Sequence, residues 1–281
     1  MMQPKRRIIH RDHDRDLGRA AEEIQGGVER IQALSRRKFL AGGATALGGL
    51  LMSPLWRTLG GSAVAAEAEP TVETGEFIFA RLEFAVLDHS PDKWNVGPIG
   101  DTILRRKLKE LTNINVMDEP KVVRLREIEE MYRHPFVFMT SEGYFELSEQ
   151  EEKNLREYLD RGGFILADDC VLFGREDRFF QTYMKLLTKL YPDNPPREVP
   201  LDHEIFHIYF DFERKGSPHM QGVEYKDSNA AALFDPDTGR IMTYATPGDL
   251  HCGWMCRYWG MDKNLEAIKM GINVVIYALS H

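Results

Sequence analysis

The apolar positions along this chain change their period several times, and each change marks an element. From Phe77 the run FIFARLEFAV mixes aromatic and β-branched side chains over a strand's length, until Asp88, His89, Ser90 and Pro91 interrupt it. Beyond Asp101, the residues Ile103, Leu104, Leu108 and Leu111 recur at helical spacing, and Asp101 is placed to cap the open N–H groups of that helix. A short extended piece at 121–123 and a helical turn at 126–132 lead to PFVFMT. Its unbroken apolarity predicts a strand covered on both faces. Ser148 and Glu151 make a capping-box pair ahead of an apolar face formed by Leu155, Tyr158 and Leu159, and Gly162 supplies a left-handed stop. Phe164 to Ala167 then reads as the next strand.

Strands alternating with helices over 77–190 predict βαβ crossovers, because parallel neighbours need a connection long enough to return across the sheet. The expected fold class is therefore α/β, a three-layer, mostly parallel sheet in a single domain spanning 77–281. Farther on, 231–234 and 240–245 flank DPDTG as a hairpin, and Leu265, Ile268, Ile272, Val275 and Leu279 mark a final amphipathic helix. Between them Phe206, Ile208, Phe210 and Phe212 alternate with His207, Tyr209 and Asp211, which is strand spacing.

The first 65 residues follow a different pattern. Ser35 to Leu40 read SRRKFL and precede an apolar stretch, Phe39 to Trp56, diluted by Gly42, Gly43, Gly48, Gly49 and Pro54. That stretch is short for a membrane span, which takes about 20 strongly apolar residues. A small-residue run, Ser62 to Ala66, follows it as a cleavage site. The whole resembles a twin-arginine export signal with a long disordered leader, 1–65, joined to the domain by a linker at 66–76. It implies a periplasmic or otherwise exported protein that folds before crossing, with no stable membrane span once the signal is cleaved. Retention of the segment as an anchor is the alternative.

Setting that segment aside changes the charge balance. It holds 11 of the 36 Lys and Arg but 6 of the 44 Asp and Glu, so the remainder carries 25 bases against 38 acids, a net −13. A surface so acidic repels phosphate backbones and excludes nucleic acid as a partner. A small molecule or a protein, neutral or cationic, suits it better. The three cysteines, Cys170, Cys252 and Cys256, are an odd number and indicate no disulfide framework. Cys252 and Cys256 are spaced for a bridge on a helical turn or for independent burial.

In open α/β sheets ligands bind outside the carboxyl ends of the strands. The residues that follow each predicted strand are therefore the candidates for a site: Glu142 after PFVFMT, Asp168, Asp169 and Cys170 after FILA, and Asp249 after RIMTYA. The paired acids can hold a cation or position a water, or can serve as a helix cap beside a solvated neighbour. His251 and Cys252 add nitrogen and sulfur ligands near the same rim. Trp254, Tyr258 and Trp259 form an aromatic cluster suited to packing or to stacking on a ligand.

The stretch GGFILADDC, with PFVFMTSEGYFELSEQEEKNLREYL before it and LDHEIFH and TPGDL after it, resembles the bacterial family called domain of unknown function 4159. The likeness covers most of Phe77 to Ser280, including RLEF with Arg81, and Trp94; both residues recur in the family pattern and are taken as ligand-binding candidates, with pairing to a rim acid as the alternative for Arg81. The resemblance implies a class I glutamine amidotransferase-like, flavodoxin-like sheet and no established activity. Active amidotransferases of that fold carry a cysteine on a sharp turn flanked by glycines. Cys170 stands near that place, but Asp168 and Leu172 occupy the glycine positions, so a nucleophile is the lesser reading.

His203 to His207 read HEIFH, the HExxH pattern in which two histidines on one helical face hold zinc and the glutamate activates water. The period-two context opposes it, since extended backbone would set the two rings about 13 Å apart. The sequence thus calls for no cofactor, with a divalent metal as the option at His203 and His207. The leading expectation is an exported domain that binds a ligand or partner at its strand-end rim without catalysis. The alternative is a hydrolase using Cys170, or a metal near Asp168, His203 and His207.

Overall fold

A computed structural model describes residues 76–87, 91–171, 177–213, 219–220 and 230–281. The twin-arginine motif, the leader, the linker up to residue 75, the 88–90 break and Leu172 lie outside the described residues. Glu76–His281 forms one compact unit.

Its elements in chain order are β1 (Ala80–Glu83), β2 (Ala85–Val86), a 3-10 turn (Pro91–Asn95), α1 (Ile99–Leu111), β3 (Lys121–Arg124), α2 (Ile128–Met131), β4 (Phe136–Ser141) and β5 (Phe145–Glu146). There follow α3 (Glu149–Asp160), β6 (Phe164–Asp169), α4 (Arg178–Leu190), β7 (Arg197–Glu198), a second 3-10 turn (Glu204–Phe206), β8 (Ala231–Phe234), β9 (Ile241–Thr246), α5 (Leu250–Trp254) and α6 (Met261–Ser280). Seven strands make one sheet in the order β3-β1-β4-β6-β9-β8-β7. The first five run parallel, while β8 is antiparallel to both β9 and β7. The protein is thus mixed α/β with a mostly parallel sheet, as the alternating pattern predicts. No helix among the described residues is long and apolar enough to cross a membrane.

Side chains alternate across the strands and so define the layers. Val137 and Met139 of β4 and Ile165 and Ala167 of β6 join one buried cluster with Leu155, Tyr158 and Leu159 of α3 and Phe179, Tyr183 and Leu187 of α4. Phe138 points the other way, onto the rings of His251 and Trp254 in α5. That second layer packs closely because its contacts are glycines. A Cβ built on Gly253 of α5 would lie 2.5 Å from Ala267 Cβ of α6, and one on Gly271 of α6 would lie 2.9 Å from Trp254 Nε1 and 3.0 Å from Leu104 Cδ1 of α1.

Several sequence expectations hold at the level of single residues. Ser148 Oγ accepts from Glu151 N while the Glu151 carboxylate accepts from Ser148 N, a complete capping box. Gly162 has φ 99°, the left-handed stop after α3. In the β8–β9 hairpin Asp235 Oδ1 accepts from the N–H groups of Asp237 and Thr238, which fixes the turn.

Three expectations need correction. The predicted first strand is interrupted: β1 ends at Glu83, and Ala85–Val86 leaves the main sheet to pair antiparallel with β5. Asp101 does not cap α1, which starts at Ile99 after Pro98, because its carboxylate is taken by Arg81. The segment around His203–Phe212 is not a strand but a 3-10 turn followed by irregular chain. The reason lies in α6. Asn273 Oδ1 accepts from Phe210 N, and Asn273 Nδ2 donates to Ile205 O and Phe210 O, so one buried amide satisfies backbone groups that a neighbouring strand would otherwise serve.

Candidate functional site

Parallel register sets the ends of β4, β6 and β9 side by side: Thr140 is opposite Asp168, Ser141 opposite Asp169, and Asp168 opposite Thr246. Cys170 N extends the ladder by donating to Ser141 O. The strand ends therefore deliver Asp168, Asp169 and Cys170 to one rim, and the β9–α5 loop brings Asp249 to it.

Consecutive strand residues face opposite sides, so the two acids do not act as a pair. Asp168 turns toward α5 and accepts the N–H groups of Leu250 and His251 at 2.9 and 2.8 Å. Asp169 turns toward α4 and accepts Phe180 N at 2.8 Å. Each thus satisfies open N–H groups at a helix start. Burial pushes Asp168 well above the ordinary carboxyl range, with the nearby Asp249 charge adding to it, against the two backbone hydrogen bonds. Burial likewise raises Asp169, to about 8, opposed by the Phe180 N–H.

Cys170 meets Cys252, which lies 82 positions away on α5, with their Sγ atoms 3.5 Å apart. Asp249 completes the group: one carboxylate oxygen and the two sulfurs all lie within 4.8 Å of one another. All three residues are buried, Asp249 at 0% exposure, Cys170 at 7% and Cys252 at 8%. Asp249 has φ 56° and ψ 40°, the left-handed region, in the turn between β9 and α5. The Cys170 thiol is pushed well up, first by its contact with Cys252, then by burial and by the charges of Asp249 and Glu142. Cys252 is raised as well: the Cys170 contact works to lower it and is outweighed by burial and by Asp249 and Asp168.

Arg81 and Trp94 stand beside this group in a network of their own. Arg81, 2% exposed, clasps Asp101 through Nε and Nη2 at 2.8 and 2.7 Å and donates Nη1 to Trp94 O and Val96 O. Its Nη2 is also 3.0 Å from His251 Nε2, which lies 3.5 Å from Asp101 Oδ1. Burial alone would raise Asp101, but the His251 contact and the Arg81 charge hold it below the usual carboxyl range. Burial lowers His251, the Arg81 charge adding to it, against the contact with Asp101. These groups bind one another and tie α1 and α5 to the sheet. Glu142 pairs with Lys93 of the first 3-10 turn at the rim of β4.

His203 and His207 lie elsewhere. His203 borders an open groove of about 810 Å³ lined also by Gly162, which precedes β6, and Arg240, which precedes β9. That is the amino end of the strands, opposite the cysteine pair. His203 Nδ1 accepts from Ile205 N, and its ring packs on Phe234 and Tyr277. His207 Nε2 donates to Leu201 O. The HEIFH residues form a tight turn in which each ring has its own backbone partner.

The structure thus groups Glu142, Asp168, Asp169, Cys170 and Asp249 at one strand-end rim and leaves the two histidines at the other end. Sequence reasoning missed the role of Asp101 and the approach of Cys252 to Cys170. The available signal was that both cysteines follow predicted strand ends. Cys256, the alternative partner of Cys252, is exposed, and all three thiols are free.

Fold and site together define a mixed α/β protein whose strand ends carry a buried thiol and carboxylate group. A family model described as Domain of unknown function (DUF4159) matches residues 83–279, and the chain belongs to this family. A comparison with curated proteins finds no match.

Proposed function

We propose that this is an exported domain of the class I glutamine amidotransferase-like type that uses its strand-end rim to bind a ligand or protein partner and has no cysteine nucleophile. In the parallel part of the sheet the order β3-β1-β4-β6-β9 corresponds to 2-1-3-4-5 in chain order, the order of flavodoxin-like sheets, which supports this fold reading. The twin-arginine motif at Arg36 and Arg37 supports export of the folded chain.

One observation carries the non-catalytic reading: among the described residues, the side-chain partner of Cys170 is another thiol, not an imidazole. A cysteine nucleophile needs a base or a positive neighbour to lower its pKa. Here the neighbours are Cys252, Asp249 and Glu142, which all act in the opposite sense. His251, the histidine nearest in sequence to Cys252, faces Arg81 and Asp101. Left-handed backbone of the kind a nucleophile elbow uses falls at Asp249 and Cys256 among the described non-glycine residues, and not at Cys170. The acidic surface then favours neutral or cationic partners.

Alkylation of the reduced, chelator-treated full chain with iodoacetamide at neutral pH, read by peptide mass spectrometry, tests the proposal. Cys256 reacts first, and Cys170 and Cys252 react more slowly than a free thiol. A Cys170 that reacts ahead of Cys256 supports the hydrolase alternative instead.

A further inference from the structure

We infer that Cys170, Cys252 and Asp249 form a binding site for a zinc-class divalent cation, with a fourth coordination position left to water or ligand. The inference rests on the strand-end rim being the functional face and goes beyond it by naming what the face holds.

The argument is geometric. Two thiolates on one tetrahedral zinc, each bonded at about 2.3 Å, stand about 3.8 Å apart, whereas bonded sulfurs are about 2.05 Å apart. The Cys170 and Cys252 sulfurs are separated by 3.5 Å, close to the tetrahedral edge. A carboxylate oxygen of Asp249 lies within 4.8 Å of both sulfurs, so the three donors fit around one ion. Their chemistry selects the metal. Magnesium and calcium take all-oxygen shells, while two sulfurs with one oxygen suit a borderline-soft cation. Three protein donors are the number found where zinc keeps an exchangeable position.

The scaffold holds the donors rigidly. Cys170 extends the β6 ladder through Ser141 O, and Cys252 is fixed by α5, whose first N–H groups are held by Asp168. Asp168 and the β4–β6 register therefore orient the site without ligating the ion. Asp249 completes the set from a left-handed backbone position in the β9–α5 turn, with its carboxylate in the cluster. Neither histidine of HEIFH takes part, since His203 sits at the amino end of the strands.

The test loads the reduced full chain, freed of metal by a chelator, with Co²⁺ and then displaces it with Zn²⁺. The expected result is one Co²⁺ per chain, with a sulfur-to-cobalt charge-transfer band in the near ultraviolet and visible bands of tetrahedral intensity. Cys170→Ser and Cys252→Ser should each weaken uptake by about 100-fold or more, beyond the roughly 10–100-fold typical of residues outside the metal's own shell. Asp249→Asn, nearly isosteric, should weaken uptake while leaving the circular dichroism of the fold unchanged, which keeps the test valid if a cysteine variant misfolds. Absent stoichiometric uptake, octahedral bands without sulfur charge transfer, or uptake lost with His203→Ala but kept in the three site variants would overturn the inference. Slow Cys170 alkylation with no metal uptake removes the metal site and spares the binding reading, whereas fast alkylation removes the reading itself.

Discussion

Arg81 and Asp101 show how a residue singled out for binding is also held within the scaffold. A guanidinium and a carboxylate buried together are stable only as a pair, because either one alone is a charge in a poor solvent. Asp101→Asn leaves Arg81 buried with a weaker acceptor, so a loss of about 3–5 kcal/mol at neutral pH is expected in urea unfolding. The pH dependence has a definite sign. The Asp101 carboxyl is held below its ordinary value, so its contribution is fully present above the unfolded value near pH 4 and is lost as pH falls through the lower folded value. The difference between wild type and Asp101→Asn should shrink in unfolding curves taken below about pH 4. A difference that stays constant with pH would show that the carboxylate's charge is not what stabilises this corner.

Among the elements, legibility tracked how local the determining interaction is. PFVFMT and FILA were readable as central strands because both faces are covered, and the α3 boundaries were readable because a capping box and a left-handed glycine act within a few residues. The alternating run after His203 misled because its backbone partner is a single amide 63 positions away on α6. Asp101 misled in the same way, since Arg81 claims it from 20 positions upstream. The Cys170–Cys252 approach depends on which strands are adjacent, which spacing alone does not encode. These differences carry unequal energies. Asn273→Ala removes three buried hydrogen bonds at once and should cost about 3 kcal/mol, whereas Ser148→Ala removes an exposed cap and should cost about 1 kcal/mol. Urea midpoints of the two variants at equal slope check the ranking, and equal losses would mean that Asn273 is replaceable by water.

For the whole molecule, the proposal joins compartment, fold and site. A twin-arginine route carries a protein already folded, so a cation set between β6 and α5 can be acquired before export. Changing Arg36 and Arg37 together to lysine should hold the full chain in the cytoplasm, as fractionation would show; unchanged export would detach the site from that route. The strongly acidic balance beyond residue 65 directs attention to neutral and cationic partners. The central claim, that this sheet presents a binding rim and not a cysteine nucleophile, is tested most directly by the pH dependence of Cys170 alkylation in reduced, metal-free full chain carrying Cys256→Ser. The account predicts a rate that climbs only above the ordinary thiol range; an inflection below pH 7 would contradict it.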